Sequence, residues 1–76
     1  MTNNNHQVGD RVEVRLSSKF GGLEGWYAGT VTRIDPYSAH RSFYWVALDP
    51  EAQALLKIRE ISIFNPKNIR KLTQTN

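Results

Sequence analysis

Seventy-six residues, 39% of them hydrophobic, make one small domain with a thin core. The absence of cysteine excludes disulfides and thiolate metal sites, so stability must come from packing or association. Ten Lys/Arg against seven Asp/Glu give a formal charge of +3, a weak preference for acidic partners. The apolar runs fall far short of the ~20 residues that a membrane-spanning helix needs.

Residues 1–7 are polar and asparagine-rich, with no basic or apolar leader pattern. They predict a disordered tail on an intracellular, cytoplasmic protein. From Arg11 to Leu16, Val12, Val14 and Leu16 alternate with Arg11, Glu13 and Arg15. Period two over that length is a half-buried strand. Ser17 to Gly25, with Gly21, Gly22 and Gly25, is a loop. Its apolar Phe20 and Leu23 imply that it folds back.

Trp26 to Ile34 is rich in aromatic and β-branched residues and predicts the second strand. Val31 and Ile34 are three apart, so strict alternation cannot turn both inward. A β-bulge near Thr32-Arg33 resolves this and bends the strand. Asp35-Pro36 opens the next loop. In the third strand, Phe43 to Leu48, both faces are apolar: Tyr44, Val46 and Leu48 on one, Phe43, Trp45 and Ala47 on the other. Such a strand needs cover on both sides.

Asp49-Pro50-Glu51 has the order of a helix start, Asp as N-cap and Pro at the first helical position. A short helix over 50–56 is expected, lying on Trp45 and Phe43. If it does not fold back there, an apolar patch is left for a partner subunit. Ile58 to Phe64 makes a fourth strand, Asn65-Pro66-Lys67 breaks it, and Ile69 to Leu72 closes the domain before a polar tail at 73–76.

Five short strands predict an all-β fold, with closure into a barrel as the simplest way to remove sheet edges. The segments Val8-Gly9-Asp10-Arg11-Val12-Glu13-Val14 and Trp26-Tyr27-Ala28-Gly29-Thr30-Val31 resemble the opening of SH3-like barrels of the Tudor and Agenet type. Ile61 to Leu72 is similar to the strand, 3₁₀ turn and last strand that end them. The resemblance covers residues 8–72. It implies a five-stranded SH3-like barrel without cofactor, metal or catalytic site. It would bind a protein or peptide segment through a rim of aromatics, as a monomer or weak homo-oligomer.

In that family an aromatic cage attracts a methylated Lys or Arg. By motif, Tyr27 and Phe20 fall at cage positions, with Trp26 adjacent and Tyr37 in the next loop. Where the family has further aromatics, this chain has Leu48, Asp49, Pro50 and Glu51. The alternative function is nucleic-acid or ribonucleoprotein binding through Trp45, Arg33, Arg41, Lys67, Arg70 and Lys71. A remoter resemblance is to the type II dihydrofolate reductases, which share a "GDRV" opening. Their functional Val-Gln-Ile-Tyr aligns with Ile61-Ser62-Ile63-Phe64, and the Gln and Tyr that carry the chemistry are replaced. His6 and His40 have no second His or Cys at ligand spacing.

Overall fold

A computed structural model describes residues 6–17 and 23–72. The elements in chain order are β1 (Arg11–Leu16), β2 (Gly25–Pro36), β3 (Ser42–Leu48), α1 (Pro50–Leu56), β4 (Glu60–Ile63), a 3₁₀ turn (Pro66–Asn68) and β5 (Ile69–Lys71). They form one five-stranded antiparallel sheet in the order β4-β3-β2-β1-β5. The fold is all-β with one short helix, as the strand pattern predicts.

Alternation is clean in β1, where Val12, Val14 and Leu16 are buried and the intervening residues face outward. Their side chains meet Val31, Val46, Leu48, Ile63 and Ile69 in a single core. The bulge falls where the Val31–Ile34 spacing requires it. Val31 pairs with Val46 and Arg33 with Trp45, so Thr32 has no partner of its own. The extra residue lets both Val31 and Ile34 pack inward. The Thr32 hydroxyl fastens the bulge, donating to Glu60 Oε2 at 2.8 Å with the Trp45 carbonyl oxygen 3.3 Å away.

Gly29 lies where β2 pairs with both neighbours, opposite Val12 on one side and Leu48 on the other. A Cβ there would stand 2.6 Å from the Ala47 carbonyl oxygen and from Val46 Cγ1. The strands approach so closely that only glycine fits.

Two expectations are corrected, the seating of the helix and the closure of the barrel. The helix forms over Pro50–Leu56, but it does not lie on Trp45 and Phe43. Its inward residues Ala52 and Leu56 enter the core beside Leu48 and Val46 instead. The Asp49 side chain makes no cap hydrogen bond; Arg11 takes it. Gln53 secures the helix by donating to the Leu48 carbonyl at 2.7 Å.

The barrel is also not closed: β4 and β5 are the two ends of the sheet. Asn65-Pro66 turns the chain before the two strands can pair, with Asn65 Oδ1 accepting from the Lys67 amide at 2.9 Å. His6 and Gln7, ahead of Val8, are among the described residues. His6 is only 6% exposed, its ring edge-on to Tyr44 at 5.1 Å. A turn then leads into β1, with the Gln7 amide donating to Asp10 Oδ2 at 2.9 Å and the Gly9 amide donating to the Val31 carbonyl at 2.8 Å.

Candidate functional site

Trp26 and Tyr27 are neighbours on β2 and therefore point to opposite faces. Tyr27 turns in and packs against the core, its hydroxyl donating to the Leu23 carbonyl at 2.7 Å. Trp26 turns out, onto the face shared with Glu13 of β1 and Arg70 of β5. The Arg70 guanidinium lies 3.8 Å from the centre of the Trp26 ring, and its Nε donates to Glu13 Oε1 at 2.8 Å. The register explains the arrangement, since Glu13 stands opposite Arg70 on one side and opposite Ala28, two residues beyond Trp26, on the other.

The same face continues towards α1. Arg11 donates to both carboxylate oxygens of Asp49, at 2.7 and 2.6 Å, and to Thr30 Oγ1 at 3.0 Å. These hydrogen bonds hold the Asp49 carboxyl below its ordinary range and push the Arg11 guanidinium above its own. Between the sheet face and the helix lies a groove of about 320 Å³, lined by Glu13, Trp26, Ala28, Asp49, Glu51 and Leu55, with Tyr27 contributing. Leu55 is 50% exposed at its edge. Glu51 makes no ion pair among the described residues.

The groove joins two of the four aromatics named for partner binding. Tyr37 is elsewhere, at the far end of β2. Phe20 lies outside the described residues. The described members of the expected rim thus do not converge on one hole, and the face of Trp26 is already filled by a cation of the chain itself.

Tyr37 belongs to a second surface, on the outer side of β3 and β4. Its ring stands edge-on to Phe43 at 6.0 Å and to Phe64 at 5.3 Å, and Phe43 and Phe64 lie 4.7 Å apart. Arg41 lies 5.2 Å from the centre of the Phe64 ring. Beside them Trp45 Nε1 donates to Asp35 Oδ2 at 3.0 Å, and Arg33 both covers the Trp45 ring at 5.0 Å and donates to the same oxygen at 3.0 Å.

The six positions named for nucleic acid therefore fall in three places. Arg33, Arg41 and Trp45 share this outer face. Arg70 and Lys71 sit across the sheet on β5, each beside an acid: Arg70 with Glu13, and Lys71 with Asp10 at 3.6 Å. Lys67 stands in the 3₁₀ turn.

Sequence reasoning missed Glu13, Glu51, Leu55 and Phe64 as surface-forming residues. For Phe64 the signal was present, because it continues the outward parity of Ser62 on β4. For Leu55 it was not, because Ala52, Ala54, Leu55 and Leu56 surround a short helix with apolar groups and mark no face. His6 gave no signal at all. Its Nδ1 is buried without a hydrogen-bond partner among the described residues, and burial together with the Lys71 charge lowers its pKa below the ordinary histidine value, against the pull of Asp10. Among the described residues no cluster of three or more His, Asp or Glu is placed to hold a metal ion, and no helix is long and apolar enough to cross a membrane.

No family model, curated protein or solved structure matches this chain.

Proposed function

We propose that the chain is a non-enzymatic binding module that takes a protein segment in the groove between the outer face of β1–β2 and α1. The observation that carries this reading is the composition of the groove. Apolar Trp26, Ala28 and Leu55 stand beside the carboxylates of Glu13, Asp49 and Glu51. Two of those carboxylates are held in place by Arg70 and Arg11, so the site is built before a ligand arrives. A segment with one apolar side chain against Leu55 and one basic side chain near Glu51 fits that lining. Asp49, held ionised by Arg11, serves as a charge acceptor and not as a proton donor.

The test is an array of short peptides bearing unmodified or methylated Lys and Arg, followed by calorimetry on those that bind. Leu55→Glu and Trp26→Ala should each weaken binding about tenfold or more, the loss expected of a central contact residue. Raising salt should weaken it only modestly, because no row of phosphates is being neutralised. Equal binding by wild type and both variants would contradict the reading.

The nucleic-acid alternative has narrower support. Its basic residues are divided between two faces, and Arg70 and Lys71 are partnered by acids.

A further inference from the structure

We propose that the open edge of β4 takes an extended acidic protein segment as an added strand, bonded backbone to backbone at Ser62. The site is separate from the groove beside α1. It follows from the register of the β3–β4 ladder. The Leu48 amide donates to the Arg59 carbonyl at 2.9 Å, which makes those two a hydrogen-bonded pair. Antiparallel pairs alternate, so Val46–Ile61 and Tyr44–Ile63 are bonded pairs as well. Ser62, opposite Trp45, falls between them, and its N–H and C=O point away from β3. β4 ends the sheet, and among the described residues no other backbone group bonds to Ser62.

A cleft of about 380 Å³ lies along this edge. Four consecutive residues, Ile61 to Phe64, line it from β4, and Arg15, Leu16 and Asn68 line it from the end of β1 and the 3₁₀ turn. A strand face would contribute alternate residues; a consecutive run means that the cleft exposes the edge. The other sheet end offers less. β5 has three residues, and both Arg70 and Lys71 are engaged by acids.

The chemistry of the edge selects the occupant. An extended peptide presents a donor and an acceptor together, as Ser62 requires. A phosphate backbone only accepts and leaves the Ser62 carbonyl unpaired. Charge selects further. Arg15, Arg41 (over Phe64) and Lys67 (beside Asn68) make no ion pair among the described residues. Of the nearby acids, Glu60 is engaged by Thr32, which leaves Glu24 beyond Ser17. A second copy of β4 would bring the same cations against these, whereas a segment with carboxylates complements them. Parity gives its pattern. Leu16, Ile61 and Ile63 face the core, and Arg15 and Ser62 face outward. The matching segment alternates apolar side chains inward with acidic ones outward.

The test is a titration of the full chain with a blocked hexapeptide alternating Val and Glu, from about 10 μM to about 1 mM, followed by amide shifts. Saturable shifts should appear at Arg15, Ile61–Phe64 and Asn68, with slower hydrogen exchange at the Ser62 amide. N-methylation of alternate peptide amides, on the bonding edge, should weaken binding about tenfold or more, because it removes donors and leaves the protein unaltered. Arg15→Glu should weaken it about tenfold, and a Val–Lys hexapeptide should leave this edge silent. Absence of saturable binding overturns the proposal. Equal affinity of the methylated peptides overturns it too, since side chains alone would then make the contact. Shifts of Ser62 on dilution of the chain without peptide would give the edge to a second copy and overturn it as well.

Discussion

At the scale of single residues, Gly29 and His6 carry the sharpest consequences. A methyl group at Gly29 would press on the Ala47 backbone and on Val46, and backbone cannot swing aside as a flexible side chain can. Gly29→Ala should destabilise the fold by about 1–3 kcal/mol, the usual penalty for overpacking, read as a lower urea midpoint. An unchanged midpoint would mean that β2 and β3 separate easily there. His6 sets a pH dependence. Burial favours its neutral form, so its folded pKa lies below the unfolded value of about 6.5. Above that value both states are neutral and its contribution is complete. As pH falls through it, the unfolded chain takes up the proton first, and stability declines until the folded histidine also protonates. The urea midpoint should therefore drop between about pH 7 and pH 5, and His6→Phe should remove most of that slope. A variant with the same slope would assign the titration elsewhere. The contrast between these residues shows what local pattern can reveal. The bulge at Thr32 was legible because Val31 and Ile34 break a rule of period two. A lone histidine in a polar stretch breaks no rule, so its burial against Tyr44 was not.

At the scale of elements, α1 is held by tertiary contacts. Seven residues are too few for a helix to persist alone. Asp-Pro-Glu announced its start, but which side docks depends on Leu48, Val46 and Gln53, residues that a sequence window does not arrange in space. Leu56→Ala should cost about 2–5 kcal/mol, as for other buried leucines. Leu55→Ala, at the exposed groove edge, should change stability by no more than about 0.5 kcal/mol. Thermal unfolding of the pair separates the two roles, and similar losses would place Leu55 in the core. The third strand teaches the same lesson from the other side. Its two apolar faces correctly demanded two covers, but the outer cover consists of Tyr37 from the loop after β2, Phe64 from just past β4, and Arg33 of β2.

For the whole molecule, strand number and most core residues of the strands followed from alternation and turn residues, whereas the order β4-β3-β2-β1-β5 came from the structure. The open edge between β4 and β5 did not, because closure depends on the path of the Asn65–Asn68 turn and on β5 being three residues long. The candidate groove was legible only in part. Trp26 and Tyr27 stood out as adjacent aromatics. Their partners come from far along the chain: Arg70 from β5, and Asp49, Glu51 and Leu55 from the end of β3 and the helix. Such pairings are products of topology. The small sheet thus carries two separate surface features, the groove proposed for a protein segment and the aromatic cluster outside β3.

The measurement that bears most directly on the central claim is a titration of the full chain with a groove-selected basic peptide, followed by amide chemical shifts. The account predicts shifts centred on Glu13, Trp26, Ala28, Glu51 and Leu55, lost in Leu55→Glu. Shifts centred instead on Trp45, Phe43 and Phe64, with the groove silent, would contradict it.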